Sequence, residues 1–179
     1  MSLIAVEQVI RGSRSVARLR APSETAKVAV PTEWREAGSS EAHSVMASTI
    51  FLHPAPKGEF VPNIVIQYFD FDSHETLSLS SIATDKDIAS LYRSVVFGHH
   101  VSDDGLLSVD EGAFNHEGLT LAVRRVHHTY PLQSASRSGL TVITSTAPIK
   151  EWKALEPDIS TIELNVLSRK GRWGSVTTP

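Results

Sequence analysis

The residues of this chain best suited to chemistry are its eight histidines, four of which form two adjacent pairs. The pairs are His99-His100 and His127-His128. If each pair lies on a strand, neighbouring side chains point to opposite faces, so one histidine from each pair could meet across a sheet. These histidines could then ligate a metal ion or take part in hydrolysis. A metal-dependent or hydrolytic enzyme is therefore one hypothesis for function.

The further groups that such an enzyme requires are not evident in the sequence. Asp103 or Asp110 could add a carboxylate, but zinc usually takes three or four protein ligands, and no His-Glu-x-x-His segment occurs. Serines are abundant, yet no Gly-x-Ser-x-Gly elbow is present. We therefore expect no metal, no cofactor and no catalytic set, and we expect the histidines at surface or half-buried strand positions.

Adjacent arginines in the middle of a predicted strand are the second feature with chemical potential. Arg124 and Arg125 must face opposite sides of a sheet. One of them could present a cation to an anionic partner. The alternative, which we favour, is a pair with an acid on a neighbouring strand, with a stability of about 0.2 to 1 kcal/mol. The low-ranking candidates for a binding surface are Arg124, Arg125, His99 and His127.

Composition limits the classes of protein that remain. A net charge of −3 argues against general nucleic-acid binding, which needs a basic surface. The lack of cysteine excludes disulfides and thiolate chemistry. No apolar run approaches the roughly 20 residues that span a bilayer, so we expect no transmembrane segment. We expect a monomer or a homodimer.

Strand and turn signals dominate the elements that must position these residues. Thr84 is predicted to open a helix that carries Ile88, Leu91, Tyr92 and Val95 on one stripe and ends at Gly98. The predicted strands are 27–30, 45–52, 63–71, 106–109, 119–130 and 140–146. Helical structure is predicted within 148–155, and a second helix from Pro157.

Three segments in this order carry a resemblance to a known family. They are Val-Ala-Val-Pro-Thr-Glu-Trp at 28–34, Val-Pro-Asn-Ile-Val-Ile at 61–66, and Leu-Thr-Val-Ile-Thr at 140–144 followed by Ala-Leu-Glu-Pro-Asp-Ile at 154–159 and Ile162. Together with the order of elements, they resemble the Mog/PsbP-like superfamily, and within it the actinobacterial LpqN-type lipoprotein branch. The chain departs from the lipoprotein pattern because it has no lipobox cysteine.

The resemblance implies an α+β fold: an α/β/α sandwich with a largely antiparallel central sheet and helices on its faces. It also implies a bacterial, non-catalytic binding or adaptor module that holds a protein or lipid partner. The predicted organisation is an N-terminal arm at 1–22, a single domain at 23–168 and a C-terminal tail at 169–179. The expected location is cytoplasmic if the start is native, and the cell envelope if a signal or lipobox sequence has been removed.

Overall fold

The computed structural model describes residues 18–20, 28–71, 77–132 and 138–168. Its strands are β1 (Arg18–Arg20), β2 (Arg35–Glu36), β3 (Thr49–Leu52), β4 (Asn63–Phe71), β5 (Val95–Val101), β6 (Leu107–His116), β7 (Leu119–Pro131) and β8 (Ser138–Pro148). Its helices are α1 (Ser39–Ser44), a 3-10 turn at Leu79–Ser81, α2 (Lys86–Ala89) and α3 (Ile149–Ser168). Among the helices of these ranges, none is long and apolar enough to cross a membrane.

The strands form one sheet in the order β2-β3-β4-β8-β7-β6-β5, with β1 paired to β4 beside this path. Every pairing is antiparallel. Two-residue and short turns explain the meander of β5, β6 and β7. Glu117 and Gly118 both have positive φ, 48° and 82°, as a tight type I′ hairpin requires. The predicted α+β fold, with an antiparallel sheet and helices on its faces, is confirmed.

The main core lies between the sheet and α3. Leu155, Ile159, Ile162 and Val166 recur every three or four residues and so form one helical stripe against the sheet. Trp34 is buried in the same cluster, and its indole Nε1 donates a hydrogen bond to Asp158 Oδ2 at 3.2 Å. Trp34 is therefore a packing residue that connects the segment before β2 to α3. On the opposite face, α1 packs against β3 and α2 packs against β6 and β5. Ile82, just after the 3-10 turn, packs against a cluster of Phe69, Phe71, Leu140 and Val142.

The helix predicted from Thr84 to Gly98 is wrong in the structure. Helix α2 ends at Ala89, and the chain then turns through Arg93, whose φ is 50°, into strand β5. The β-branched and aromatic run Val-Val-Phe at 95–97 favours a strand, and pairing with the ten-residue β6 overrides the helical periodicity.

Other boundaries also differ from the prediction. The strand predicted at 106–109 extends from Leu107 to His116 as β6, because it pairs with β7 along its whole length. Residues 28–30 carry no regular structure, although Val28 and Val30 pack against the core, while residue 27 lies outside the described ranges. Only Thr49–Leu52 of the strand predicted at 45–52 is extended, because α1 and a turn precede it. The two predicted C-terminal helices are one, with Pro157 inside it, because its apolar stripe is continuous across the proline.

Candidate functional site

Strand β7 divides the adjacent arginines between the two faces of the sheet, as predicted. Arg124 faces α3, where its guanidinium contacts Glu111 Oε1 and Glu156 Oε1, each at 2.7 Å. Glu111 is also its directly opposed residue on β6, so the cross-strand pair that we favoured is confirmed for Arg124. Trp152 lies under the guanidinium, 5.6 Å from its carbon to the ring centroid. The Arg124 side chain therefore connects β6 to α3.

A buried acid completes the polar contacts on the α3 face. Glu163 Oε1 accepts a hydrogen bond of 2.8 Å from Ser145, and its other oxygen lies 3.7 Å from Arg124. Burial raises the pKa of Glu163, and the hydrogen bond from Ser145 and the charge of Arg124 offset only part of that shift. Burial also acts on Arg124, but the hydrogen bond to Glu111 and the charges of Glu163 and Glu111 outweigh it and raise the pKa of that guanidinium.

The opposite face holds the larger site, a group of five side chains that we call the charged cluster: His99, which is partly exposed, and the buried Asp110, His127, Asp87 and Arg125. Arg125 Nη1 lies 2.8 Å from Asp87 Oδ2, and the exposed fraction of the arginine side chain is only 2%. His127 stands between the two acids, with Nε2 3.5 Å from Asp87 and Nδ1 3.6 Å from Asp110. His99 Nδ1 lies 2.6 Å from Asp110 Oδ1. The cluster therefore links α2, β7, β6 and β5.

Hydroxyl groups provide further polar contacts around the cluster. Thr84 and Ser108 share a buried hydrogen bond of 2.7 Å, and the Ser108 hydroxyl also lies 3.4 Å from Asp110 Oδ2. On the other side, Arg125 Nε donates to the hydroxyl of Thr144 on β8 at 3.0 Å. These hydroxyls are buried with the cluster, so they serve to solvate its charges within the protein.

Electrostatics within the cluster act against burial. Burial alone would raise the pKa of Asp110, but the nearby His127, the hydrogen bond from His99 and the neighbouring Thr84 hydroxyl together hold it below its ordinary value. Burial lowers the pKa of Arg125, and the nearby Asp87 partly restores it. The two contacts of His127, at 3.5 Å and 3.6 Å, are longer than good hydrogen bonds.

His99 is the member of the cluster that reaches the surface, with 43% of its side chain exposed. The buried Asp110 carboxylate orients its ring through Nδ1, and Nε2 is the nitrogen left for another group. An imidazole oriented in this way can accept a proton or bind a ligand. Across the described ranges, no group of three or more His, Cys, Asp or Glu side chains could hold a metal ion.

The structure brings together some of the predicted residues and separates others. One histidine from each pair, His99 and His127, does converge, through a shared contact with Asp110. His128 instead stacks on Tyr130, with ring centroids 5.7 Å apart. His127 and Arg125 are fully or almost fully buried, which corrects their placement as surface candidates. They lie on a central strand, and α2 supplies Asp87 above them.

The sequence prediction missed Asp87. Asp87 lies three residues after Thr84, in the first turn of the predicted helix, where an acid is common because it favours the positive end of the helix dipole. In the structure it is completely buried and paired with Arg125. Local sequence holds no signal for this role, because the partner lies 38 positions along the chain, on β7.

A second feature of this region is the free edge of the sheet at β5. Strand β5 ends the strand order, so within the described ranges nothing pairs with its outer side. Val95 and Phe97 are exposed by 63% and 65%, and Tyr92 just before the strand is similarly exposed. The ladder to β6 is interrupted by a bulge at Phe97, between Val96 and Gly98. His99 belongs both to this edge and to the charged cluster.

The fold makes this chain an α+β protein built on a single antiparallel sheet. One solved structure has a similar fold. That structure is LpqN, described as involved in cell envelope biogenesis of Mycobacterium tuberculosis, with a TM-score of 0.68 and 14% sequence identity over 88% of this chain and 92% of LpqN. At this identity the likeness establishes a shared fold. A protein of unknown function from Pseudomonas aeruginosa, PA94, described as a putative regulator, matches at a TM-score of 0.36 and 13% identity over 91% of this chain and 98% of its own. No family model matches the chain, and no curated protein matches it.

Proposed function

We propose that this chain is a non-catalytic binding module that holds a protein partner at the free β5 edge. The observation that carries the proposal is an edge strand of seven residues that exposes Val95 and Phe97 and whose outer side pairs with no other strand that the structure describes. Proteins usually protect such edges, because their unpaired N–H and C=O groups attract another chain. An exposed apolar side chain beside an open ladder is therefore a feature expected of an interaction site.

The likeness to LpqN supports a finer assignment, which is also part of the proposal. We assign the chain to the Mog/PsbP-like superfamily and to its LpqN-type, actinobacterial branch, and we place its work at the cell envelope. The support is the LpqN-like fold together with the three sequence segments described above, and the role of LpqN in cell envelope biogenesis. Cell fractionation of the protein, expressed from its native gene, tests the location: recovery only in the cytosolic fraction contradicts it.

Site-specific photo-crosslinking in the native host tests the binding surface. A photoreactive amino acid at Phe97 or Val95 is expected to crosslink one discrete partner. The matched control is the same amino acid at Leu164, which is equally exposed but lies on α3. Equal crosslinking at all three positions, or none at Phe97 and Val95, contradicts the proposal.

The hypothesis of an enzyme retains one specific observation in its favour, the oriented His99 imidazole on the buried Asp110. A carboxylate that holds one ring nitrogen is the arrangement found behind many histidine bases and metal-ligating histidines. Elemental analysis of the purified protein, together with thermal shifts of His99→Ala with and without zinc, tests this function. The control is His100→Ala, its exposed neighbour on β5. A zinc-dependent shift that only His99→Ala abolishes supports the enzyme hypothesis; no bound metal and no shift dispose of its metal-dependent form.

A further inference from the structure

The outer side of β5 offers backbone hydrogen-bonding groups at defined positions. Ser102 N–H donates to Leu107 O at 2.9 Å, so this pair is hydrogen bonded towards β6. In an antiparallel ladder such pairs alternate with pairs whose N–H and C=O groups point away. The register continues as Val101 opposite Ser108, His100 opposite Val109 and His99 opposite Asp110. The N–H and C=O groups of Val101 and His99 therefore point outward from the sheet.

The charge of the edge selects among possible occupants. Residues 91–101 contain Arg93, His99 and His100, all three exposed, and no aspartate or glutamate, while the exposed acids Asp103 and Asp104 lie beyond the strand in the turn to β6. In an antiparallel pair of two copies centred on His99 and His100, these histidines would lie against the same histidines of the other copy. The chain's own C-terminal segment, 169–179, carries three basic residues and no acid. Charge complementarity therefore favours an acidic partner over either of these.

We propose that the partner is an acidic, extended polypeptide segment that adds as a strand to β5, pairs with the outward groups of His99 and Val101, and places apolar side chains by Val95 and Phe97. This inference rests on the proposed function. The bulge at Phe97 limits the regular ladder to the stretch from Gly98 to Val101, which suits a short segment and interrupts long edge-to-edge pairing. Strand addition uses main-chain hydrogen bonds for affinity and alternate side chains for specificity.

His99 is the residue that we expect to set the preference for acid. Asp110 occupies its Nδ1, so a carboxylate of the partner meets the ring at Nε2. A carboxylate at that position accepts a hydrogen bond when the imidazole is protonated, and the exposed Arg93 and His100 add positive charge along the same edge. A lysine-bearing segment would instead meet like charge at Arg93 and at the imidazole when that ring is protonated.

The probe for this inference is a nine-residue peptide of alternating valine and glutamate, compared with one in which lysine replaces glutamate. Both are titrated into isotope-labelled protein and followed by amide chemical shifts. We expect the acidic peptide to change the chemical shifts of the His99 and Val101 amides. We expect the lysine peptide to bind more weakly by a factor of about ten or more. Equal binding of the two peptides, or no binding of either, overturns the inference.

A proline at Val101 separates strand addition from other modes of contact. Val101→Pro removes an outward N–H and so preserves the β5–β6 ladder, whereas Val101→Ala keeps that N–H. We expect Val101→Pro to weaken binding about tenfold or more and Val101→Ala to change it little. Circular dichroism and thermal unfolding check that both variants fold. If Val101→Pro does not fold, N-methylation of the alternate residues of the peptide removes the same bonds from the other side and is expected to abolish binding.

Other outcomes overturn the inference, and they differ in what they mean for the proposed function. Peptide binding that Val101→Pro and N-methylation leave unchanged means that the surface binds a polypeptide without strand pairing, and the proposed function stands. Binding to vesicles containing phosphatidylglycerol, with no peptide binding, assigns the edge to a lipid surface and contradicts the protein partner of the proposed function as well. Reversible dimerisation in sedimentation that Val101→Pro abolishes assigns it to a second copy. Discrete crosslinks from Phe97 together with failure of the peptide contradict only the inference, whereas the absence of both contradicts the proposed function as well.

Discussion

Replacing Arg125 with methionine is the most demanding test of the charged cluster. Arg125 is almost fully buried, and its Nη1 lies 2.8 Å from Oδ2 of Asp87. The side chain of Asp87 is completely buried. Methionine replaces much of the volume, so the change is mainly one of charge. Two buried carboxylates, Asp87 and Asp110, would then share the site without the guanidinium. Breaking a buried pair by removing one partner costs about 3 to 5 kcal/mol in the free energy of unfolding.

Denaturant unfolding near neutral pH, followed by tryptophan fluorescence and circular dichroism, measures this loss. A domain of this kind has a stability of about 5 to 15 kcal/mol, so Arg125→Met is expected to fold with a much lower midpoint. The control is Lys150→Met, since 74% of the Lys150 side chain is exposed and its carboxylate contact is long, 3.7 Å. The control is expected to change stability by about 0.5 kcal/mol or less.

A double variant distinguishes loss of the ion pair from loss of packing. Arg125→Met combined with Asp87→Asn removes the charge that the single variant leaves behind. We expect the double variant to be more stable than Arg125→Met alone, with a coupling of about 1 to 3 kcal/mol between the two positions. A cost below about 1 kcal/mol for Arg125→Met would refute the reasoning. Strictly additive effects of the two substitutions would refute it too, because the residues would then be energetically independent.

Three further predictions concern the acids and the close approach of α2 to the sheet. Asp110→Asn is expected to be less stable than the wild type near neutral pH, and the difference in free energy of unfolding is expected to narrow on acidification. The pKa of Asp110 is held below its ordinary value of 3.8, so the contribution of the carboxylate to stability is present above that value and is lost as pH falls through the folded pKa. A difference that does not depend on pH in denaturant unfolding would contradict this. Burial raises the pKa of Glu163 above its ordinary value of 4.5, so the wild type loses stability as pH rises through the folded pKa, and Glu163→Gln does not. The stability of Glu163→Gln relative to the wild type should therefore increase with pH in the same assay, and a decrease would count against burial as the dominant cause. Gly112→Ala is expected to lower stability by about 1 to 3 kcal/mol, because its Cβ would lie 2.6 Å from Val95 O and 2.7 Å from Ile88 Cγ2; thermal unfolding indistinguishable from the wild type would show that β5 and α2 can move aside.

The sheet could be predicted where composition and pairing agree. Strands β4, β7 and β8 are long runs of β-branched and aromatic residues, and the structure has all three close to their predicted positions. Strand β5 could not be predicted from local sequence alone, because its strand-forming run at 95–97 overlaps a helical stripe formed by Ile88, Leu91, Tyr92 and Val95. In the structure Ile88 is buried, while Tyr92 and Val95 are exposed, so the stripe is not a packing surface. The partner β6 decides the conformation, and that information is non-local.

The candidate site shows the same division between local and non-local information. The alternation of side chains along strands correctly indicated that Arg124 and Arg125 separate and that His99 and His127 could converge. It could not indicate burial, since that depends on α2 covering β6 and β7 and on the carboxylate that α2 contributes. The depth of Arg125 and His127 is therefore a tertiary property, and so is the role of Asp87.

The charged cluster also bears on how an edge strand can serve as a binding surface. A partner that orders a loose strand loses affinity to that ordering, whereas a strand already held in place avoids the cost. In β5, His99 is fixed to the buried Asp110, and Gly112 of β6 allows α2 and β5 to lie close to β6. The outward backbone groups of β5 are at the same time free to bind a partner. We therefore expect substitutions in the cluster to weaken partner binding without touching the partner, through loss of order in β5. Hydrogen exchange of the β5 amides in Asp110→Asn tests this expectation. We expect faster exchange together with weaker peptide binding. Either change without the other would show that the charged cluster does not affect binding through the order of β5.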